Sequence, residues 1–224
     1  MTRTLSLPSS RALVAIVVTV ALAMAGVLLS PLGRADESAA AASRQSRTAF
    51  HDAMRVLWED HIVWTRMAIV SIVDDRPDAA FAVDRLLANQ DDIGDAVKPF
   101  YGDGAGEALS ALLREHITGA AALLGAVKAG GDGAAESAAW YANADEIASF
   151  LAAANPRAWP ADMMRTMMRD HLDLTLAEAV ARLQHDYAAD VAAYDEIHRQ
   201  ILHMADMLSD GIITQFSSQF TGGK

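Results

Sequence analysis

The chain of 224 residues contains no cysteine, only six prolines and few aromatic side chains. The lack of cysteine excludes disulfide bonds, thiolate metal ligands, a cysteine nucleophile and a lipid-modified cysteine. Because alanine-rich chains with little proline and few aromatic residues favour helices over sheets, the composition indicates an all-α protein. The formal net charge of −11 argues against a groove that follows nucleic-acid phosphates, so we expect no nucleic-acid partner.

The first 35 residues have the pattern of a targeting segment. They contain three arginines and no acidic residue, and an uncharged apolar run of 18 residues spans 12–29. A run of this length lies at the border between a signal-peptide core and a membrane span. Two interpretations therefore stay open for 1–35: a signal peptide cleaved near residues 33–35, or an anchor that keeps the membrane as a partner. Both place the rest outside the cytoplasm, and residues 36–46 are predicted to form a flexible linker.

The remaining chain is predicted to form six helices. Clusters of glycine and proline separate stretches of roughly 20–28 residues that have an apolar period of 3.6. No stretch alternates with period two over a useful length, so we expect no strands. One predicted boundary between helices contains neither glycine nor proline. There, residues 184–186 are predicted to form a turn in which Asp186 caps the last helix. The result is a bundle (47–217) of three antiparallel helical hairpins at 47–98, 103–154 and 160–217, followed by a flexible tail at 218–224.

Three histidines recur at a fixed spacing. His61, His116 and His171 are each 55 residues apart, and each is preceded by an acid and followed by an aliphatic residue. On a helix, the positions three, four and seven residues away share the stripe of the histidine, and in all three copies most of these positions are apolar. We therefore expect each imidazole to point inward at the same depth.

A second motif accompanies the histidines on the return helices. It occurs at 89–93 and 143–147 and, with alanine in place of asparagine, at 193–197. Residues equally distant from a turn face each other in an antiparallel hairpin, so this motif is expected level with the histidines. The shared register predicts triplication of a hairpin of about 55 residues, with a polar layer halfway along an apolar bundle.

This polar layer has two main interpretations. Buried polar groups must be paired, so the layer can serve only to fix helix register. Alternatively, imidazoles and carboxylates that converge from several helices form a transition-metal site, and a small-molecule pocket is a further option. The spacing matches neither the Glu-x-x-His pairs of di-iron bundles nor a His-Glu-x-x-His helix.

The candidate residues follow from the helical faces. The expected metal ligands are His61, His116, His171, Asp92, Glu146 and Glu196. The expected ligand-binding neighbours are Asn89 and Asn143, the acids before the histidines (Asp60, Glu115 and Asp170), and the tryptophans Trp58 and Trp64. Glu178 shares the inward stripe of His171, and a buried glutamate needs a partner.

Four motifs carry a resemblance to a known family. In WEDH…WTR (58–66), KPFYG (98–102), WYANADEI (140–147) and MADMLSDGI (204–212), the chain resembles a widespread bacterial family of uncharacterised helical proteins. Members are often labelled acetylglutamate kinase or glycosyltransferase, but both enzyme classes use α/β folds and this sequence predicts no strands. The resemblance covers about residues 48–217. It implies a bacterial helical domain, often exported or membrane-linked, and carries over no catalytic residue.

The sequence as a whole predicts an exported or membrane-anchored binding protein that takes a transition-metal ion or a small ligand at the polar layer. The alternative is a structural or interaction module in which the layer only fixes helix register. No phosphate-binding glycine loop and no Ser-His-Asp pattern is present, so an enzymatic role has the least support.

Overall fold

The computed structural model describes residues 31–221, with side chains from residue 40 onward. This part of the chain contains no strand, which confirms the predicted all-α class. The predicted apolar segment at 12–29 lies outside the described residues, and within them no helix is long and apolar enough to cross a membrane. The helices are α1 (Pro31–Val73), α2 (Ala79–Tyr101), α3 (Asp103–Lys128), α4 (Ala134–Ala154), α5 (Ala161–Leu183) and α6 (Tyr187–Gln215), followed by the short 3₁₀ helix η1 (Ser217–Phe220).

The helix ends follow the breakers in the sequence. Gly102 alone separates α2 from α3 and has a φ of +85°, a conformation that glycine adopts without steric cost. At the predicted turn between α5 and α6, the side chain of Asp186 accepts a hydrogen bond of 3.0 Å from the backbone N–H of Ala189. This is the expected N-cap, and it satisfies one of the free N–H groups in the first turn of α6.

Two predicted boundaries are wrong. Residues 36–46 belong to α1 instead of forming a flexible linker, because their run of alanines has a high helix propensity. At the other end, the predicted tail is packed at least as far as Phe220, which is only 4% exposed. Its ring centre lies 5.4 Å from that of Phe50 and 5.5 Å from that of Phe100, so apolar burial holds this segment against the bundle.

The six helices form a closed ring. Each helix packs against its neighbours in the chain, α6 packs against α1, and α1 also contacts α3 and α5 near the centre. Helices α2 and α3 approach each other closely at Gly94 and Gly106. A Cβ atom on either residue would lie 2.6 Å from the carbonyl oxygen of the other, so larger residues would force these helices apart.

The apolar core is uneven along the bundle axis. We call the end with the turns at 74–78, 129–133 and 184–186 the turn end, and the opposite end, which contains Phe220, the terminus end. The largest group of buried apolar side chains is concentrated at the terminus end, whereas two small, separate groups lie at the turn end. The histidine layer lies between these regions.

Candidate functional site: a central layer of three histidines

Three buried histidines meet at the centre of the bundle. His61 on α1, His116 on α3 and His171 on α5 are each only 3–4% exposed. The ring centre of His171 lies 5.7 Å from that of His61 and 6.2 Å from that of His116. Residues from three separate helices, 55 positions apart in the sequence, thus share one level of the core.

Asn143 of α4 orients the ring of His116. Its Oδ1 lies 3.0 Å from Nδ1 of His116, and its Nδ2 donates a hydrogen bond of 3.2 Å to the carbonyl oxygen of Leu112. Because only the amide nitrogen can donate to that carbonyl, the amide oxygen faces the ring and Nδ1 carries the proton. In the neutral ring, Nε2 then keeps its lone pair.

Gln200 of α6 orients His171 in the same way. Its Oε1 lies 3.2 Å from Nδ1 of His171, and its Nε2 donates a hydrogen bond of 3.1 Å to the carbonyl oxygen of Met167. Met167 and Leu112 each lie four residues, about one helical turn, before their histidine. The two amides therefore bridge equivalent groups, and His171 also has its proton on Nδ1.

The first helix pair differs because two amides occupy the site. Asn89 donates a hydrogen bond of 3.0 Å to the carbonyl oxygen of Leu57, while Nε2 of Gln90 lies 3.3 Å from Nδ1 of His61. The same nitrogen donates hydrogen bonds of 2.8 Å to the carbonyl oxygen of Leu86 and 3.1 Å to Oδ1 of Asn89, which fixes the orientation of the amide, and its two hydrogens are shared among the three acceptors. Because Nδ1 of His61 faces an N–H group, the neutral ring carries its proton on Nε2.

The three imidazoles line one small cavity on the bundle axis. Its volume of about 30 Å³ has room for one or two water molecules or a single ion. Each Nδ1 contacts an amide on the other helix of its pair, so Nε2 is the ring nitrogen that these amides leave free. The rest of the lining is apolar and includes Trp58, Met168 and Met204, and no carboxylate contributes to it.

Burial keeps these imidazoles neutral. It lowers the pKa of His116 to about 3, with a further decrease from the nearby His171, and it lowers the pKa of His171 to about 4. Burial also lowers the pKa of His61 well below its usual value, and the two neighbouring imidazoles add to this effect. At neutral pH the three neutral rings thus carry lone pairs on Nε2 of His116 and His171 and an N–H group at Nε2 of His61.

The acids expected as metal ligands lie outside this layer. Asp92, Glu146 and Glu196 are exposed. Each stands one position before an inward isoleucine, and one step along a helix turns the side chain by about 100°, onto the outer face. Hydration of the carboxylate favours that position. The expectation that these acids belong to the layer is therefore wrong.

Other residues that were expected beside the histidines also lie elsewhere. Glu115 and Asp170 are exposed, and the partly buried Asp60 accepts a hydrogen bond of 2.9 Å from Arg85 instead of contacting a histidine. The guanidinium of Arg85 also lies 5.5 Å from the ring centre of Trp64, at the surface between α1 and α2. Asp60, Arg85 and Trp64 thus join α1 to α2, and neither they nor Glu115 and Asp170 line the histidine cavity.

Two tryptophans flank the layer. The ring centre of Trp58 lies 5.7 Å from that of His61, as the sequence predicted, and that of Trp140 lies 5.3 Å from that of His116. Trp140 was not among the expected site residues, although it precedes Asn143 by one helical turn. Both indole N–H groups are buried and have no hydrogen-bond partner within the described chain.

Sequence reasoning also missed the two glutamines of the layer. Gln90 and Gln200 are 110 residues apart, twice the spacing of the histidines. This spacing could have indicated the two glutamines as partners of the histidines. It connects only the first and third helix pairs, however, because in the second pair Asn143 contacts the histidine instead.

A second buried polar cluster joins α1, α5 and α6. Arg66 donates hydrogen bonds of 2.6 Å to Glu178 and 2.7 Å to Asp190, and both carboxylates are almost completely buried. Burial raises the pKa of Glu178 to about 7, although the charge of Arg66 opposes this shift. Glu178, which the sequence placed on an inward stripe, therefore pairs with Arg66 and has no contact with the histidines.

The three imidazoles share one level of the core at ring-centre distances of 5.7 and 6.2 Å from His171. Within residues 40–221, no three histidine or acidic side chains already stand in metal-binding geometry. The chemistry that the layer offers is that of neutral imidazole nitrogens in a small apolar space. No protein-family model, curated protein or solved structure matches the chain.

Proposed function

We propose that the protein binds one transition-metal ion between the Nε2 atoms of His61, His116 and His171. The observation that carries this proposal is the convergence of three buried, neutral imidazoles on one cavity. Metal ligation requires the deprotonated nitrogen, and an acceptor at Nδ1 is the usual means of presenting Nε2 to a metal. Asn143 and Gln200 supply such acceptors.

Binding needs the three rings to move together and one proton to shift. Three imidazoles around an ion at about 2.0–2.1 Å have ring centres roughly 5–5.5 Å apart, compared with 5.7 and 6.2 Å for the two pairs that include His171. The proton of His61 moves from Nε2 to Nδ1. The amide of Gln90, whose Oε1 is buried without a partner in the described chain, accepts it only after a half-turn that gives up the hydrogen bonds of its nitrogen to Leu86 and Asn89, so metal binding also requires Gln90 and Asn89 to rearrange.

The lining selects the class of metal. Imidazole nitrogen suits zinc, copper, nickel and iron, whereas magnesium and calcium require oxygen ligands that this cavity lacks. Met168 and Met204 line the same cavity and add a soft surface without charge. We therefore expect binding of Zn²⁺ or copper and no binding of Mg²⁺.

Metal titration of the full chain, purified without an affinity tag and stripped with a chelator, tests the proposal. Competition against a chromophoric chelator, followed by elemental analysis, measures affinity and stoichiometry. We expect one Zn²⁺ or copper ion per chain and no Mg²⁺ above background.

A matched pair of variants assigns the site. His116→Gln removes one ligand and keeps a polar side chain, so tight binding should be lost. His203→Gln changes an exposed histidine on α6 and should leave the affinity unchanged. Absence of stoichiometric binding, or equal binding by both variants, would contradict the proposal.

A structural role is the second candidate. It is favoured by the fact that each imidazole already has a hydrogen bond within its own helix pair. In that case no metal binds, and His116→Gln changes only the free energy of unfolding. The same titration, read together with denaturation curves, separates the two candidates.

We infer that the three helix pairs are copies of one helical hairpin. The carbonyl groups that accept from the amides belong to Leu57, Leu112 and Met167, again 55 residues apart. Phe50 and Phe220 are in contact, so a linker can join the two ends. A circular permutant opened at Gly102 should fold and bind metal like the parent chain, and failure to fold would count against equivalent units.

We propose that the bundle lies outside the cytoplasm, either released by cleavage of the N-terminal segment or anchored by it. The apolar run at 12–29 and the absence of acids before residue 36 support this location. A C-terminal reporter enzyme that requires an oxidising compartment tests the location, and N-terminal sequencing of the purified protein identifies any cleavage site. Reporter activity confined to the cytoplasm would contradict the proposal.

A further inference from the structure

A second cavity lies on the same axis, at the turn end of the bundle. Its volume is about 70 Å³, more than twice that of the histidine cavity. It begins one helical turn beyond the layer, at Thr65, Ala120 and Thr175, each four residues after a histidine. It extends to Ile72 and Leu183, which are only partly buried near the ends of α1 and α5, so we expect access from the turn end.

Small side chains account for this space. Three positions before the histidines, towards the terminus end, the inward residues are a tryptophan, a leucine and a methionine, all buried. Towards the turn end, the cavity wall instead contains Ala68, Ala120 and Ala179. Alanine side chains fill less of the space between the helices than the large residues on the other side of the layer, and the core here separates into two small groups.

The wall of this cavity is almost entirely hydrocarbon. No charged side chain lines it. The hydroxyls of Thr65 and Thr175 donate to the carbonyl oxygens of His61 and His171 at 2.7 and 2.8 Å, so these donors are already satisfied. The indole nitrogen of Trp140 is the remaining polar group. Water needs two to four polar partners to occupy a cavity stably, and this wall does not supply them.

We propose that this turn-end cavity binds one small, uncharged, apolar molecule, of the size of xenon or a short alkane. Such a molecule fills unoccupied van der Waals space and leaves no hydrogen-bonding group of its own unpaired. An ion or a strongly polar molecule is excluded because it would lose its hydration without gaining partners. The cavity is distinct from the histidine cavity, and this inference does not depend on metal binding.

Xenon is a suitable probe because it is uncharged and forms no hydrogen bonds. Methyl NMR spectra of the metal-free full chain, recorded at increasing xenon pressure, report where it binds. We expect saturable shifts at Ile69, Ile117 and Leu124, which line the turn-end cavity. The methyl groups of Ile201, buried on α6 away from this cavity, should not respond.

Two leucine substitutions on α3 provide the control. Ala120→Leu fills the cavity and should abolish the shifts, whereas Ala122→Leu places the same side chain on the exposed face and should preserve them. If circular dichroism shows that Ala120→Leu does not fold, Ala179→Val fills the opposite wall with a smaller change. The proposal is overturned if no saturable shift occurs at the lining methyls, or if the shifts persist when a folded variant fills the cavity.

Discussion

Nδ1 of His116 and Oδ1 of Asn143 lie 3.0 Å apart between α3 and α4, and this contact determines which ring nitrogen carries the proton. The amide cannot turn around, because its nitrogen donates to the carbonyl oxygen of Leu112. One asparagine thus pairs two buried groups and sets the tautomer of the ring.

Removal of this amide should destabilise the bundle. Asn143→Leu leaves Nδ1 of His116 without a partner and removes the second hydrogen bond to the carbonyl oxygen of Leu112, which keeps its bond within α3. A buried group left unpaired costs about 1–3 kcal/mol. We expect a decrease of that order in the free energy of unfolding, measured by urea denaturation. Gln45→Leu, on an exposed face of α1, is the control and should have little effect. Equal stability of the two variants would show that the contact does not hold the layer.

Acid should destabilise the metal-free protein through the buried histidines. An unfolded histidine titrates near pH 6.5, whereas burial lowers the pKa to about 3 for His116 and to about 4 for His171. Between these values the unfolded chain binds more protons than the folded chain. The free energy of unfolding should therefore fall below pH 6.5, by up to about 1.4 kcal/mol per pH unit for each histidine, until the folded-state pKa is reached.

Glu178 changes the free energy of unfolding with pH in the opposite direction to the histidines, so its contribution must be removed separately. Burial raises its pKa to about 7 from an ordinary value near 4.5, so its stabilising contribution is present at low pH and is lost as the pH rises through 7. Denaturation in the Glu178→Gln background removes this contribution. In that background, His116→Gln should reduce the pH dependence below 6.5, and an unchanged slope would show that the ring is not held neutral.

The cluster around Arg66 should be sensitive to loss of its cation. Arg66→Met leaves Glu178 and Asp190 buried without their main partner, a change that typically costs about 3–5 kcal/mol. Arg85→Met also breaks an ion pair, but with the partly exposed Asp60, and should cost at most about 1 kcal/mol. Thermal and urea denaturation measure both. A similar decrease in the free energy of unfolding for the two variants would mean that the buried ion pairs of Arg66 stabilise the fold no more than the exposed pair of Arg85.

The helices and the histidines could be predicted because they depend on local periodicity. Asp186 caps α6 where the sequence placed a turn without glycine or proline. The inward position of each histidine follows from the apolar residues three, four and seven positions away. Both conclusions need only the geometry of a single helix.

The partners of the histidines could not be predicted as well, because they depend on register between helices. The number of residues in each turn sets which residue on the return helix faces the histidine. The sequence motif placed residues 193–197 level with His171, yet the partner is Gln200, three residues or about one turn beyond the motif on α6. The pairing of Glu178 with Arg66 joins residues 112 positions apart, and no local pattern indicates such a contact.

Nitrogen-15 NMR of the histidine rings reports the arrangement itself, because the two neutral tautomers have different Nδ1 and Nε2 signals. In the metal-free protein, we expect the proton on Nδ1 in His116 and His171 and on Nε2 in His61. One equivalent of Zn²⁺ should shift the Nε2 signals of all three rings together and leave His203 unchanged. If His116 and His171 carry the proton on Nε2, or if Zn²⁺ affects only exposed histidines, the three-histidine metal site is refuted.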